Sequence, residues 1–150
     1  MGYRSEKKEY VVGVGLAAQN SINSDDGITK ETKLYGLIAE DAMQNRLFVE
    51  LNKLIKPEAM MIPMNIREDD FYFTVANMKK SKVDGAYIAR EYQEMVIELL
   101  DEKDETVEVY GRCDFVVREK EKLKGFLAEK NNIDSLEELA KIIYLEYIFS

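Results

Sequence analysis

The sequence predicts an α/β fold, a three-layer α/β/α sandwich whose sheet is mostly parallel and carries one antiparallel hairpin. Three observations predict it. Short runs of branched aliphatic and aromatic residues alternate with longer stretches whose apolar residues recur at helical spacing, the pattern of βαβ units. Two later apolar runs, residues 113–118 and 122–127, are split only by Glu119-Lys120-Glu121 and read as a hairpin. Finally, Ser135-Leu136-Glu137-Glu138 is a capping box at the head of a closing helix.

Residues 1–32 read as an N-terminal extension with one strand and a loop. The Val-rich stretch 10–18 supplies the strand, and 20–32 has the Asn, Ser, Asp, Gly and Thr content of a loop. Asp25 and Asp26 lie in that loop without the oxygen spacing or closing Glu of an EF-hand. The charged start and the apolar stretch mimic a signal peptide. Glu6 and Glu9 among the lysines, and the glycine-punctuated Val11-Val12-Gly13-Val14-Gly15, favour a strand instead, so a cytoplasmic protein is expected.

The main body spans 33–130. Leu34-Tyr35-Gly36-Leu37-Ile38 is a buried strand. Asp41 is placed to cap a helix with Leu47, Leu51, Leu54 and Ile55 on one face, which Pro57 ends. A second strand covers 60–66. Asp69 or Asp70 opens a second helix, with Phe71, Val75 and Met78 at i, i+4, i+7. A third strand, 83–89, is broken by Gly85. A third helix, 91–100, carries Tyr92, Met95, Val96 and Leu99 on one side. Residues 106–110 read as a fourth strand before the hairpin. Residues 131–150 supply a C-terminal helix, apolar at Leu136, Leu139, Ile142, Ile143 and Ile148, expected to pack on the same single domain.

The composition narrows the chemistry. The chain carries 29 acids against 21 bases, a net charge of −8, and its bases are scattered. That argues against nucleic acid, whose phosphates call for clustered Lys and Arg. The nearest basic run, Lys79-Lys80-Ser81-Lys82, reads as a solvated helix end where cations suit the dipole. No stretch approaches a membrane span, so no membrane partner is expected. There is no histidine, which removes Ser/His and Cys/His catalysis, His-ligated zinc and the usual base near neutral pH. The single cysteine, Cys113, sits in an apolar run and reads as a small buried hydrophobe. Gly13-Val14-Gly15 lacks the third glycine and following helix of a dinucleotide loop.

Four segments carry a family resemblance. Leu34-Tyr35-Gly36-Leu37-Ile38 is similar to a Y-G-L-I-G opening strand. Ile62-Pro63-Met64-Asn65-Ile66 with Asp69-Asp70-Phe71 is similar to a Y-x-P-x-x-V strand and the acidic start of the next helix. Gly85 through Gln93 aligns on G-x-N-V-T-x-P-x-K, and Leu100-Asp101-Glu102 matches the L-D-E that follows it. Gly111-Arg112-Cys113-Asp114-Phe115-Val116-Val117-Arg118, then Lys122-Leu123-Lys124-Gly125-Phe126, sits on G-A-V-N-T-V-V-R and G-K-L-V-G-Y. In this order the segments resemble the N-terminal, substrate-binding domain of the shikimate dehydrogenase family. That family reduces 3-dehydroshikimate to shikimate with NADPH held on a second, Rossmann domain. After Glu129 only 21 residues remain, too few for such a domain, so no cofactor (NADP in the family) is expected here.

The resemblance also implies where this chain departs. The family's S-x-S falls on Asn45-Arg46-Leu47, and the Asn and Thr of N-V-T fall on Tyr87 and Ala89. The catalytic lysine falls on Gln93, and the Asn of V-N-T on Asp114. The Asn and Asp of N-T-D fall on Leu127 and Glu129. A lysine ammonium can stabilise a developing alkoxide and transfer a proton; a glutamine amide cannot act as an acid near neutral pH. The hydroxyls of Tyr87 and Tyr92 are near in sequence, but Tyr at a strand end is more often packing.

The expectation is therefore a non-catalytic relative that binds a small hydroxylated carboxylate, with Asn45, Tyr87, Gln93, Asp114 and Glu129 at the former substrate positions. Arg46 and Arg90 are placed to hold a carboxylate, beside the blander role of a solvent-facing arginine. Two other readings stay open. The apolar Ile142-Ile143-Tyr144-Leu145 and Tyr147-Ile148-Phe149 suit a homo-oligomer or a partner protein. Oxidoreductase activity with a cofactor domain on another chain would require Gln93, Asp114 and Glu129 to converge.

Overall fold

The computed structural model describes residues 32–55, 59–130 and 135–149. The expected strand at 10–18, the calcium-like loop acids and Pro57 lie outside these residues. β1 (Lys33–Ala39) sits between β2 (Ala59–Asn65) and β3 (Gly85–Ile88) and is parallel to both. β5 (Phe115–Glu119) pairs antiparallel with β3 and forms the hairpin with β6 (Lys122–Phe126). A two-residue strand, β4 (Glu102–Lys103), lies parallel to β6, giving the order β2-β1-β3-β5-β6-β4.

Side-chain alternation along the strands builds two cores, one on each face of the sheet. On one face Tyr35, Leu37 and Ala39 of β1 meet Leu47 and Leu51 of α1 (Arg46–Leu54) and Leu139, Ala140 and Ile143 of α4 (Leu136–Ile143). On the other, Ile38, Ala86, Ile88 and Val116 meet Phe71, Val75 and Met78 of α2 (Glu68–Met78) and Val107 of α3 (Glu105–Tyr110). This is the three-layer sandwich with a mostly parallel sheet. The central strand β1 carries no charged residue from Leu34 to Ala39 because both its faces are covered. Gly85 is dictated by the crossing of β3 and β5, since a Cβ there would lie 2.3 Å from the Val116 carbonyl oxygen.

The hairpin turn needs neither Gly nor Asn. Lys120 takes the left-handed conformation, φ 59°. Arg118 braces the turn by donating from Nη1 to the Lys120 carbonyl at 2.6 Å and from Nε to that of Val83 at 2.6 Å. The serine cap of the closing helix holds: Ser135 Oγ accepts from the Glu138 amide at 3.2 Å. Beyond α4 the chain forms a π-helical turn, Tyr144–Ile148. Tyr147 there stacks on Phe115 (5.2 Å) and against Phe126 (4.8 Å), and Ile148 is buried, while Leu145 and Phe149 stay exposed. Among the described residues no helix is long and apolar enough to cross a membrane.

Three local expectations are corrected. Asp41 caps no helix with its side chain; a 3-10 turn, Ala42–Gln44, intervenes, and Asn45 is the cap of α1. The stretch expected as one helix over 91–100 is two 3-10 turns, Arg90–Tyr92 and Met95–Leu99. The Gln93 carbonyl, which would accept within a continuous helix, accepts instead from the Cys113 amide at 3.0 Å. Finally, residues 106–110 are helical, not a strand. Asp104 accepts from the Thr106 amide at the start of α3, and Gly111 closes it with φ 73°. The alternating Thr106-Val107-Glu108-Val109-Tyr110 thus follows its caps, and only Val107 is buried.

Candidate functional site

Open α/β sheets bind ligands beyond the carboxyl ends of their parallel strands. Here β3 runs through Tyr87 into the turn carrying Arg90 and Gln93. The antiparallel β5 enters the same edge through Arg112 and Asp114, and β6 leaves there through Ala128 and Glu129. Residues far apart in sequence therefore meet at one edge.

Arg112 joins them. Its Nη1 donates to Gln93 Oε1 at 2.6 Å and its Nη2 to the Glu129 carbonyl at 3.3 Å. The Glu129 carboxylate stands 3.8 Å from Nη1, an ion pair too long for a good hydrogen bond. Gln93 is buried, and its Nε2 donates to the Ile88 carbonyl at 2.9 Å. Each end of its amide thus makes a hydrogen bond. Asp114 is fully buried, and its two carboxylate oxygens accept from the amides of Ala128 (2.7 Å) and Glu129 (3.0 Å). It thereby ties the segment after β6 to the head of β5.

Burial pushes the Asp114 carboxyl up to about 6, against the lowering pull of those two amides and of Arg112. Tyr87, nearly buried, has its hydroxyl raised further, first by burial and then by the nearby Asp114 and Glu129, with Arg90 and Arg112 opposing. Cys113 is pushed up to about 12 by burial, which makes it an inert core thiol. Tyr92 packs in the other core, stacked on Phe71 at 4.4 Å with its hydroxyl donating to the Ile66 carbonyl.

The structure thus brings Gln93, Asp114 and Glu129 to one edge, with Tyr87 in electrostatic range of both carboxylates and of Arg90. Asn45 begins α1, where its Oδ1 accepts from the Leu47 amide at 2.9 Å. Arg46 and Arg90 are exposed, with no ion pair to another described residue. Arg112 is the member the sequence reading missed. The available signal was paired departures: an arginine where the resembled family has alanine, together with a glutamine where it has lysine. Among the described residues no group of three His, Cys, Asp or Glu could hold a metal ion.

The structure matches that of a shikimate dehydrogenase from Aquifex aeolicus with a TM-score of 0.62 and 26% identity, covering 67% of this chain and 39% of that one. The chain carries a shikimate dehydrogenase-like fold. A shikimate 5-dehydrogenase from Listeria monocytogenes, solved with shikimate and NAD, matches with TM-score 0.61 and 17% identity, over 67% of this chain and 36% of that one. A 5-ketofructose reductase from Gluconobacter matches with TM-score 0.60 and 16% identity, over 67% and 37%. This shikimate dehydrogenase-like chain spans less than two fifths of the length of each of these three relatives. No family model matches the sequence, and no curated protein matches it.

Proposed function

We propose that this shikimate dehydrogenase-like domain is a binding module for a small hydroxylated carboxylate and transfers no proton itself. One observation carries the reading. At the position matching the family's lysine, Gln93 is buried with both ends of its amide engaged, by Arg112 and by the Ile88 carbonyl. An amide held at both ends fixes geometry but offers no acid or base. Around it remain the cation Arg112, the partly exposed Glu129 and the exposed Arg90, which suit recognition of an anion with hydroxyls. Gln93, Asp114 and Glu129 lie at one sheet edge, as oxidoreductase chemistry with a cofactor domain on another chain would also require. The engaged amide and the doubly bonded Asp114 favour binding over proton transfer.

Ligand-detected NMR with shikimate, 3-dehydroshikimate and quinate tests the proposal. Saturation transfer from at least one of them is expected; none from any of the three would refute it. The exposed Leu145 and Phe149 support a second reading, self-association through the C-terminal turn. A monomer in sedimentation at micromolar concentration would exclude that reading.

A further inference from the structure

Within that binding reading, on which this inference rests, the arrangement around Arg112 identifies the group that reads the ligand. Arg112 has five N–H donors, and the structure commits two of them, one to Gln93 Oε1 and one to the Glu129 carbonyl. Those two bonds fix the plane of the guanidinium against buried Gln93 and leave three donors, enough for a carboxylate to engage two. The side chain is 23% exposed, so it is not sealed from solvent at the sheet edge.

Glu129 is held differently in its two parts. Its backbone is pinned at both ends, the amide to Asp114 Oδ2 at 3.0 Å and the carbonyl to Arg112 Nη2 at 3.3 Å. Its carboxylate is 34% exposed and only approaches Arg112, at 3.8 Å, making no hydrogen bond to another described residue. Rotation about side-chain bonds alone would therefore withdraw it, leaving the backbone and the Arg112 plane in place. A ligand carboxylate arriving then replaces one anion with another, so the charge beside buried Asp114 is unchanged.

We infer that Arg112 is the carboxylate-reading residue of the cleft, and that the Glu129 side chain is its internal counter-ion, displaced when a ligand carboxylate binds. Asp114 and Gln93 are positioning residues: Asp114 holds the Glu129 backbone, and Gln93 aims the guanidinium. The ligand class is a small monocarboxylate whose remaining polar groups lie toward Tyr87 and Arg90.

Calorimetric titration of the full chain with shikimate, and with its methyl ester as a probe lacking the charge, tests the inference. Glu129→Gln removes the competing charge at a partly exposed position. It is expected to bind shikimate about threefold more tightly than the wild type, the scale of a partly solvated ion pair. Arg112→Ala is expected to weaken shikimate by at least about tenfold, the loss of a charge-assisted contact, with Arg112→Lys intermediate. The ester is expected to gain nothing from Glu129→Gln. Because Arg112→Ala also strips a partner from buried Gln93, thermal unfolding is run alongside, and Glu129→Gln decides the matter if the alanine variant does not fold. Shikimate binding that is unchanged or weaker in Glu129→Gln, or equal for acid and ester, would overturn the inference and leave the binding reading standing. No binding of shikimate to either the wild type or Glu129→Gln would overturn the inference. Loss of 3-dehydroshikimate and quinate binding as well would end the binding reading with it.

Discussion

Asp114 offers a prediction whose sign and size follow from its surroundings. Its carboxyl is raised from an ordinary 3.8 to about 6, chiefly by burial. An acid held more tightly to its proton in the folded state contributes stability that is fully present below the unfolded value. That contribution fades as pH rises through the folded value. The window here runs from about pH 4 to about pH 6, and across it the contribution lost is about 3 kcal/mol, two units at about 1.4 kcal/mol each. Asp101 and Asp104 act in the opposite sense. The first is held low by the Leu123 amide and Lys79, the second by the Thr106 hydroxyl, so each stabilises above the ordinary carboxyl range and less in acid.

Comparison with Asp114→Asn isolates Asp114, since both other acids are retained. The amide of the variant turns an NH₂ toward the backbone amide of Ala128 or Glu129, at a cost of about 1–3 kcal/mol that does not depend on pH. Urea unfolding followed by circular dichroism, from about pH 4 to about pH 7.5, measures the stability of each protein. The wild type is expected to lose about 3 kcal/mol relative to the variant across that range. Parallel profiles, or a wild type that gains on the variant as pH rises, would refute the reasoning.

Gly85→Ala would force a Cβ to 2.3 Å from the Val116 carbonyl oxygen and 3.2 Å from the Tyr35 ring. A loss of at least about 2 kcal/mol is expected in thermal unfolding; an unchanged melting temperature would contradict the packing of β3 on β5. Removing residues 135–150 strips Leu139, Ala140, Ile143 and Ile148 from the core over Tyr35 and Leu37. An insoluble protein or one with a broad, non-cooperative melt is expected, and a soluble truncation that unfolds cooperatively would show that the helix is dispensable.

What was legible in the sequence was whatever depends on continuous burial. β1 read as an apolar run because both its faces and both its edges are covered, whereas β2 at the sheet edge buries only Ala59 and Met61. α2 read correctly because Phe71, Val75 and Met78 all point into one core. The hairpin was legible from its two apolar runs, although its turn relies on Lys120 and the bracing of Arg118 rather than on turn residues. Elements governed by single hydrogen bonds were not legible. α3 buries only Val107 and exists through its caps at Asp104 and Gly111, so its strand-like alternation misled. The 91–100 segment reads as one helix until Cys113, twenty residues away, takes the Gln93 carbonyl.

The candidate site was half legible for the same reason. Gln93, Asp114 and Glu129 follow from the resembled family's pattern. Their joining through Arg112 depends on a tertiary contact between residues 93 and 112, which spacing does not reveal. Asn45, assigned to the cleft by that pattern, spends its side-chain oxygen on the start of α1.

The most direct measurement is an amide-resolved NMR titration of the isotope-labelled protein with shikimate. Binding at the proposed cleft predicts saturable shifts at the backbone amides of Tyr87, Gln93, Arg112 and Glu129, with the exposed Tyr72 and Phe73 of α2 unmoved. No shifts at millimolar shikimate, 3-dehydroshikimate or quinate, or shifts confined to Leu145 and Phe149, would contradict a carboxylate-binding cleft.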